Sequence, residues 1–338
     1  MTTIYLIRHS EAEGNVYRRC HGHYNSLVTP KGDTQIEKLS ERFKDIHIDA
    51  VYSSDLYRTM KTASAVYKPH SLPLFTDSRL REVAMGIWED RTFGELQSLP
   101  NDELYSFGKN AWEWQVEGSE LFPDAITRMV GAVTEIARRH NSQTIAIVSH
   151  GMAIRAFTCG VLGINDAAGL HKLPQLDNTA VSLFEYDDGE FEMKWFNDIS
   201  HLSDEESTLA SQKWVHDARG RDDSNLIFFE EAPGKYKISL EGEDCGVLEL
   251  DLSAHADESL GIITRYILTE PFRGEGLGNQ LLGQAISVYR ALGRTRLRVA
   301  LTPEYTQSSM FFERLGFTHV SELELEKEIQ VNNSDWET

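Results

Sequence analysis

The sequence predicts an α/β protein of two domains, and three observations support this fold class. Short apolar runs at residues 4–7, 50–53 and 144–148 have the length and composition of buried strands. Amphipathic helices alternate with them, most clearly over residues 123–139, where one face is apolar. A chain of 338 residues is long enough for two domains with separate cores.

Local signals place the elements of the first domain. Thr29 followed by Pro30 predicts a helix N-terminus, and the turn at 187–189 predicts a hairpin. The predicted series is a strand at 4–7, a helix from Thr29 with Ile36, Leu39 and Phe43 inward, a strand at 50–53, a helix at 55–66, a loop at 80–95, an irregular insert with Trp112 and Trp114 as a candidate lid or rim, a helix at 123–139, a strand at 144–148, a helix from Met152, and hairpin strands at 181–186 and 190–196.

A stretch rich in Asp, Glu and Ser, residues 203–224, predicts the boundary between the domains. We expect domains at 1–204 and 225–338, joined by a linker at 205–224. The second domain alternates strands and helices again. Its predicted elements are strands at 226–230, 235–241, 246–252, 262–269, 297–301 and 322–326, a helix from Leu277, and a short helix that ends at 315–316.

The overall composition excludes several classes of protein. The net charge of −20 divides evenly, with 20 Lys and Arg against 30 Asp and Glu up to Glu205, and 13 against 23 beyond it. Neither half therefore offers the basic face that nucleic acid requires. No apolar run approaches the ~18 residues of a membrane span, and no signal-peptide pattern begins the chain. Three widely spaced cysteines fit a reduced, cytoplasmic location.

Two arginines and two histidines lie at the ends of predicted strands. Arg8 and His9 follow the first strand, His150 follows the strand at 144–148, and Arg58 lies in the first turn of a helix. Ligands of open α/β sheets bind beyond the carboxyl ends of the strands. Guanidinium forks suit phosphate, so these residues predict a cationic pocket for a phosphoryl group. A single histidine at such a position would more often have a structural role, but the combination of two histidines with two arginines favours a catalytic role.

Four motifs containing these residues occur in order along the first domain. They are Arg8-His9-Ser10-Glu11 with Asn15, Ser53-Ser54-Asp55-Leu56-Tyr57-Arg58-Thr59, Leu80-Arg81-Glu82-Val83 with Gly86-Ile87-Trp88-Glu89, and Ser149-His150-Gly151. Together they resemble the histidine phosphatase (phosphoglycerate mutase-like) superfamily, although Ser10 stands where many members have glycine. The resemblance implies a three-layer α/β/α sheet.

The resemblance also implies a role for each residue. His9 would be the covalent nucleophile, which splits one difficult displacement into two easier ones. Glu82, at the position of the family's general acid, would protonate the leaving oxygen and later activate water. His150 would act in catalysis and in phosphate binding. The residues expected to hold the phosphoryl oxygens are Arg8, Asn15, Arg58 and His150. With this clamp, no metal and no cofactor are expected in the first domain.

The acceptor of the phosphoryl group distinguishes a phosphatase from a mutase. Cofactor-dependent mutases carry extra basic residues just after the general acid, and residues 83–86 contain none. We therefore expect hydrolysis of a small phosphorylated metabolite, with phosphotransfer by a mutase as the alternative. His21 and His23 lack a carboxylate partner in sequence, which favours a polar rim over a metal site.

A glycine-rich turn, Arg273-Gly274-Glu275-Gly276-Leu277-Gly278, lies between a predicted strand and a helix. With the downstream residues 311–317 it resembles the GNAT acetyltransferases, which implies an α+β domain with a mixed sheet and acetyl-CoA as cofactor. Backbone N–H groups at a helix N-terminus favour such an anion. The resemblance assigns Arg273, Gly274, Gly276 and Gly278 to the pyrophosphate, and the strand with Ile267 and Thr269 to the pantetheine arm.

The second domain departs from that family in two places. Phe312 stands where many members have a tyrosine that protonates the departing thiolate. The strands at 226–230 and 235–241 also leave no room for the two helices that usually shape the acceptor site. Acyl-CoA binding is therefore favoured over efficient transfer. A bifunctional enzyme, a CoA-sensing or homo-oligomerisation module, and a domain whose glycines only make a turn remain alternatives.

Overall fold

The computed structural model describes residues 1–97, 110–211, 226–253, 257–274, 276–301 and 308–331. These residues form two compact units. The first comprises residues 1–12, 21–89 and 110–211, and the second comprises residues 13–20, 90–97 and the described residues from 226 onward. Most of the linker predicted at 205–224 lies outside the described residues, so its position stays a prediction.

The first unit contains a sheet of six strands in the order β3-β2-β4-β1-β5-β6. Strands β1 to β4 pair in parallel, while β5 runs antiparallel to both β1 and β6. The α/β class predicted from the sequence is thereby confirmed. The strands are β1 Thr2–Arg8, β2 Ala50–Ser53, β3 Leu74–Thr76, β4 Thr144–Ser149, β5 Val181–Asp187 and β6 Glu190–Asp198.

Helices cover both faces of this sheet and produce the three layers. Ile4 and Leu6 of β1 face one core cluster, and Ile7 faces the other, as alternation along a strand requires. The first cluster includes side chains of α5 and α6, and the second includes side chains of α2 and α3. The helices are α2 Pro30–Phe43, α3 Tyr57–Tyr67, α5 Phe122–Arg139, α6 Gly151–Leu162, α7 Ala167–Lys172 and α8 Thr208–Ser211, with 3₁₀ turns at Ser78–Leu80 and Gly86–Trp88.

Several local predictions are confirmed by the geometry. The Thr29 hydroxyl accepts a hydrogen bond from the Gly32 N–H at 3.0 Å and so caps α2. The predicted hairpin joins β5 and β6, and Asp188 and Gly189 adopt the positive φ angles of a tight turn. The sequence does not predict β3 or the shortest helices, because three to six residues are too few for a periodic pattern.

The second unit contains a mixed sheet of seven strands in the order β12-β13-β11-β10-β9-β8-β7. Strands β10 and β11 pair in parallel, and the other pairs are antiparallel, which confirms the mixed sheet. The strands are β7 Ile227–Ala232, β8 Lys235–Leu240, β9 Glu243–Asp251, β10 Leu260–Leu268, β11 Arg296–Ala300, β12 Thr318–His319 and β13 Glu324–Glu328.

Helices from both ends of the chain pack in the second unit. Its core combines Leu281, Ile286 and Tyr289 with Tyr17, which comes from the early segment 13–20. The sequence does not predict that the early segment 13–20 shares a core with the C-terminal part of the chain. Within the described ranges, no helix has the length and apolar character needed to cross a membrane. The helices are α1 Glu13–Tyr17, α4 Phe93–Gln97, α9 Leu277–Ala291 and α10 Ser309–Arg314, with a 3₁₀ turn at Glu270–Phe272.

Candidate active site

The candidate active site of the first unit lies at the carboxyl ends of three adjacent parallel strands, β2, β4 and β1. Arg8 ends β1 and His9 follows it, His150 follows β4, and Arg58 lies in the first turn of α3 after β2. The ring centroids of His9 and His150 are 5.3 Å apart. Both arginines are close enough to His9 to act on its ionisation. The structure thus brings these four predicted residues together.

His9 is held as a neutral imidazole in one tautomer. Its Nδ1 lies 2.7 Å from the carbonyl oxygen of Ser10, which can only accept a hydrogen bond. Nδ1 therefore carries the hydrogen and Nε2 keeps its lone pair. Burial, followed by the charges of Arg58 and Arg8, holds the pKa of His9 well below its ordinary value. Nε2 is consequently available as a nucleophile at neutral pH.

His150 is fully buried and occupies the N-cap position of α6. Its Nε2 lies 2.9 Å from the hydroxyl oxygen of Ser54, which fixes the plane of the ring. Burial, and then the charge of Arg58, lowers the pKa of His150 well below its ordinary value. Only one of its ring nitrogens has a hydrogen-bond partner among the described residues.

Arg58 is anchored by backbone carbonyl groups of the loop that precedes α2. Its Nη1 donates to the carbonyl oxygen of Tyr24 at 2.8 Å, and its Nη2 donates to that of Gly22 at 2.9 Å. Burial lowers the pKa of Arg58 to about 10, so the guanidinium stays charged at neutral pH. These two hydrogen bonds use Nη1 and Nη2, and the Nε–H group takes no part in them.

Arg8 is anchored in the same way, because its Nη1 donates to the carbonyl oxygen of Leu176. A Cβ atom on Gly151 would lie 3.3 Å from Arg8 Nε, so a glycine at the start of α6 leaves room for this guanidinium. Burial lowers the pKa of Arg8 from its ordinary value, while Asp177 and Glu82 oppose that effect.

Three buried polar atoms of this cluster have no hydrogen-bond partner in the described part of the chain. They are Arg8 Nε, Arg58 Nε and His150 Nδ1. Buried polar atoms in proteins are nearly always hydrogen-bonded, so three such atoms on neighbouring residues indicate a site suited to a polar ligand. Two of them belong to cations, and an anion with several oxygen atoms would satisfy the set.

Glu82 is held at the start of α6, beside the cationic cluster. Its Oε1 accepts a hydrogen bond from Ala153 N–H at 2.8 Å, and its Oε2 accepts one from Met152 N–H at 3.1 Å. It is close enough to Arg8 and Arg58 to act on the ionisation of both arginines. The carboxyl group is therefore fixed in the site, and its role as general acid stays a prediction.

The loop with His21 and His23 contributes more to this site than the sequence analysis expected. The ring centroid of His21 lies 6.4 Å from that of His9. His23 Nε2 lies 2.8 Å from the carbonyl oxygen of Glu82. In the sequence, the signal for this contribution is the pair of histidines on either side of one glycine. In the ranges that the structure describes, no group of three or more His, Cys, Asp or Glu side chains is arranged to hold a metal ion.

Two other predictions for this site have different outcomes. Asn15 lies in α1, which belongs to the second unit, so its role in phosphate binding stays a prediction.

Trp114 is buried and packs against Trp88 with ring centroids 5.1 Å apart. The prediction of a lid or rim is therefore wrong for Trp114, whose indole belongs to the core. Trp112 is half-buried against Phe122.

The second unit has a separate candidate site where β10 and β11 diverge. These strands pair only over residues 260–263 of β10, whereas β10 continues beside β9 to Leu268. The register between β9 and β10 shifts after Ile263, which marks a bulge. Ile267 lies in this extension and is 37% exposed, and Thr269 follows it. Within the described residues, the part of β10 beyond Ile263 is therefore not paired with β11, and its edge on that side is a strand edge.

The glycine-rich turn leads directly into α9. Gly274 and Gly276 have φ angles of 80° and 81°, which glycine adopts without strain. Gly276 is the N-cap residue of α9, so the backbone N–H groups of the first helical turn lie at this turn. Arg273 Nε donates to the carbonyl oxygen of Leu268 at 2.7 Å. These features suit an anionic group, although Glu275 lies outside the described residues.

Two further residues of this region have packing contacts. A Cβ atom on Gly278 would lie 3.2 Å from the ring of Phe311, so glycine permits close packing there. The Tyr266 hydroxyl donates to the carbonyl oxygen of Gly278. Phe312 is buried against Tyr266, with ring centroids 5.4 Å apart. The ligand role assigned to Gly278 stays a prediction.

The fold and the cationic histidine pocket define the first unit as a phosphoryl-transfer type of α/β protein. Comparison with known families agrees with this class. Residues 4–199 match the histidine phosphatase superfamily (branch 1), and residues 193–317 match the acetyltransferase (GNAT) family. The chain belongs to the histidine phosphatase superfamily, and it carries a GNAT acetyltransferase domain in its second part.

Similar proteins include both phosphatases and mutases. The probable phosphoglycerate mutase GpmB of Proteus mirabilis is 30% identical over 209 residues, which cover 60% of this chain and 96% of that protein. Phosphoserine phosphatase 1 of Hydrogenobacter thermophilus is 27% identical over 165 residues, which cover 49% of this chain and 78% of that protein.

Solved structures show the same fold. YhfR of Bacillus stearothermophilus has a TM-score of 0.58 at 30% identity, and 60% of this chain covers all of that protein. A phosphoserine phosphatase from Entamoeba histolytica, solved in complex with phosphoserine, has a TM-score of 0.53 at 27% identity with the same coverage. The fold predicted for the first domain is confirmed.

Proposed function

We propose that the first unit is a phosphatase that hydrolyses a small phosphorylated metabolite through a phosphohistidine at His9. The observation that carries this proposal is the set of three buried, unsatisfied polar atoms on Arg8, Arg58 and His150, beside a neutral His9. A phosphoryl group supplies the oxygen atoms that these groups lack. The similar proteins named as phosphoserine phosphatases support the same chemistry.

In the first proposed step, His9 Nε2 attacks phosphorus while the bond to the leaving oxygen breaks. Glu82 gives its proton to that oxygen, so no alkoxide has to leave. The charge on the three equatorial oxygens is spread in the transition state, and Arg8, Arg58 and His150 stabilise it. Because these groups are already held by the fold, little reorganisation accompanies the reaction.

In the second proposed step, water attacks the phosphorus of phosphohistidine. The Glu82 carboxylate takes a proton from the water, the N–P bond breaks, and inorganic phosphate leaves. His9 and the protonated Glu82 are thereby regenerated. A mutase would use a substrate hydroxyl in place of water. Residues 83–86 carry no cation that could hold a second anionic group, which favours water.

The proposal is tested by phosphate release from an aryl phosphate in the presence of a metal chelator. We expect wild type to turn over and His9→Ala to lose at least about a thousandfold in kcat, since the nucleophile is absent. His47→Ala, which removes an exposed histidine, serves as the matched control and should retain full activity. Quenching in alkaline denaturant, which preserves the acid-labile N–P bond, should trap phosphate on wild type only. Turnover that survives in His9→Ala would contradict the mechanism.

The mutase alternative needs a separate assay. With 3-phosphoglycerate as substrate and a bisphosphoglycerate primer, a mutase would form 2-phosphoglycerate faster than free phosphate. We expect release of phosphate without isomerisation. Isomerisation that exceeds hydrolysis would favour the similarity to the probable phosphoglycerate mutase.

For the second unit we propose acyl-CoA binding at the turn before α9 and along the extension of β10. The positive φ angles of Gly274 and Gly276 at a helix N-terminus are the supporting observation. Acetyl-CoA at a hundred times its Kd should raise the stability of the unit by ~2.7 kcal/mol, which is visible as an increase in Tm. Gly276→Val should abolish the increase, and Gly242→Val, at an open turn with a similar φ, is the control.

Whether the second unit transfers the acetyl group is a separate question. Phe312 has no hydroxyl and is buried, so it cannot protonate a departing thiolate. We therefore propose binding without efficient transfer, as in a CoA-sensing module. Acetylation of an amine at a steady rate, measured in a broad screen of acceptors, would instead establish a bifunctional enzyme.

A further inference from the structure

One turn of the first unit, residues 177–179, holds the main chain at the nucleophile. The carbonyl oxygen of His9 accepts a hydrogen bond from Asn178 Nδ2 at 2.9 Å and one from the Thr179 N–H at 3.3 Å. All three residues are buried. Thr179 has a φ angle of 56°, which is rare for a β-branched residue and persists only where the surrounding contacts impose it. The turn therefore has a fixed geometry against His9.

The Asp177 carboxylate connects this turn to residues 207–209. Its two oxygen atoms accept hydrogen bonds from four groups: the N–H groups of Asn178 at 2.7 Å, Thr208 at 3.2 Å and Leu209 at 3.3 Å, and the Ser207 hydroxyl. Asp177 is only 2% exposed, so these donors replace the water that a carboxylate would otherwise bind. Residues 207–209 thus complete the surroundings of the turn that contacts His9.

The Thr208 hydroxyl contacts the chain just after the nucleophile, at Glu11. It donates to Glu11 Oε2 at 3.0 Å and accepts from Gln35 Nε2 at 3.0 Å. Gln35 Oε1 accepts from the Glu11 N–H at 2.8 Å. Glu11, Gln35 and Thr208 are all buried. One hydroxyl therefore closes a ring of hydrogen bonds that fixes Glu11, which is two residues after His9.

These hydrogen bonds form a network with the features of a rigid support. Every side-chain oxygen of Glu11, Asp177 and Thr208 has a hydrogen-bond partner. Burial raises the pKa of Glu11, and the hydrogen bond from the Thr29 hydroxyl opposes that effect. Buried polar networks are costly when a partner is lost, and they make a region rigid when all members are satisfied. The network is therefore suited to fixing the main chain from His9 to Glu11.

Ser207 and Thr208 lie beyond the segment that matches the histidine phosphatase superfamily, which ends at residue 199. They also fall in the range predicted as a linker, and in the structure they belong to the first unit. We propose that Ser207 and Thr208 are positioning residues for the phosphatase. Through Asp177 and Glu11 they hold the main chain at His9, so that its imidazole is aligned for attack on phosphorus. The inference rests on the proposed function.

The test is single-turnover reaction of the full-length chain, with enzyme in excess over an aryl phosphate. Release of the phenol then measures the attack by His9 and not the later hydrolysis. Thr208→Val keeps the shape of the side chain but removes the hydroxyl. It should lower this rate roughly tenfold or more, because a small displacement of a nucleophile slows the reaction strongly. Thr208→Ser keeps the hydroxyl and should restore most of the rate. A folded Thr208→Val with the wild-type rate would overturn the inference.

The affinity for phosphate separates positioning of the nucleophile from a change in the phosphate pocket. Inorganic phosphate, used as a competitive inhibitor, should keep its inhibition constant within about twofold in Thr208→Val, because the proposed phosphate-binding groups are not those that Thr208 holds. An inhibition constant that rises as much as the single-turnover rate falls would show that Thr208 shapes the phosphate pocket instead, and would overturn the inference.

A matched control and a milder variant exclude general damage. Thr158 is a buried threonine of α6 whose hydroxyl donates to the carbonyl oxygen of Ile154, and Thr158→Val should leave the single-turnover rate unchanged. An equal loss in this control would overturn the inference. If Thr208→Val does not fold, Ser207→Ala removes the hydrogen bond to Asp177 Oδ2 and should lower the same rate severalfold. The wild-type rate in Ser207→Ala would then overturn the inference.

Failure of the proposed function would look different. Wild type that releases no phenol, or His9→Ala that releases it at the wild-type rate, would overturn the phosphatase and this inference with it. Release that depends on His9 but is unaffected by Thr208→Val and Ser207→Ala would overturn the inference alone.

Discussion

At the residue scale, three histidines of the first unit, His9, His150 and His201, have a common feature, since burial beside an arginine lowers the pKa of each. His9 and His150 meet Arg58, and His201 meets Arg42. For a nucleophile this is useful, because a protonated Nε2 could not attack phosphorus. Because these rings are buried and neutral in the folded protein, the free energy of unfolding decreases when low pH favours their protonation.

The ionisation of His9 can be measured directly. We expect its Cε1–H signal in an NMR titration to stay that of a neutral ring down to well below pH 6.5, because burial and two arginines oppose the charge. The His9→Gln variant assigns the signal. His319, exposed and 3.0 Å from Glu313, has its pKa raised by that pair and should titrate above its ordinary value in the same spectra. A midpoint near 6.5 for His9 would contradict the prediction.

His201 makes the stability of the protein depend on pH. The Thr179 hydroxyl donates to a carbonyl and so accepts from His201 Nε2, while His201 Nδ1 accepts from Arg42 Nη1 at 3.2 Å. Burial, and then Arg42, lowers the pKa of His201 to about 4. The unfolded chain therefore binds a proton first as pH falls from about 6.5 to about 4, and stability falls across that window.

The contribution of His201 is measured by denaturation of wild type and His201→Gln at several pH values. We expect a smaller slope of unfolding free energy against pH in the variant between about pH 6.5 and pH 4, since glutamine does not titrate. His9 and His150 retain their own contributions in both proteins. Equal slopes would show that folding does not lower the pKa of His201.

At the element scale, the start of α6 serves two purposes. Its free N–H groups hold Glu82, and its first residue, Gly151, leaves space for Arg8. The helix therefore fixes the predicted acid and leaves space for the arginine that we propose to bind phosphate, both at one turn. The neighbouring guanidinium, and not the backbone conformation, favours glycine here, because Gly151 does not adopt a positive φ angle.

Two glycine-to-alanine substitutions test this point. Gly131 lies within α5 with nothing within 4 Å of an added Cβ, so Gly131→Ala should stabilise the protein by about 0.5–1 kcal/mol and leave KM unchanged. Gly151→Ala places a methyl group 3.3 Å from Arg8 Nε and should raise KM for an aryl phosphate severalfold. Wild-type KM in Gly151→Ala would show that Arg8 adjusts freely.

At the scale of the whole molecule, the two units do not follow the order of the chain. Segments 13–20 and 90–97 precede the predicted boundary but belong to the second unit. The matches to the two families also overlap, at residues 193–199. The segment that matches the first family thus contributes residues to both units of this protein, whereas one similar protein is covered in full by 60% of this chain.

Truncation tests this conclusion. A fragment of residues 1–204 would expose Tyr17 and leave Glu13 and Arg19 without Arg290, Lys327 and Gly283. We expect the fragment to be less stable than the full chain in urea, because loss of buried partners costs about 3 kcal/mol or more. Circular dichroism at increasing urea concentration measures the difference. A fragment as stable as the full chain would contradict the grouping.

The sequence by itself determined the α/β class, the strand ends that carry Arg8, His9 and His150, and local signals such as the Thr29 cap. These depend on short windows of residues, whose periodicity and turn chemistry are visible without a fold. The tautomer of His9, the burial of Trp114 and the pairing of Glu13 with Arg290, 277 residues away, were decided only by the tertiary structure. Burial and ionisation depend on neighbours that the order of residues does not reveal.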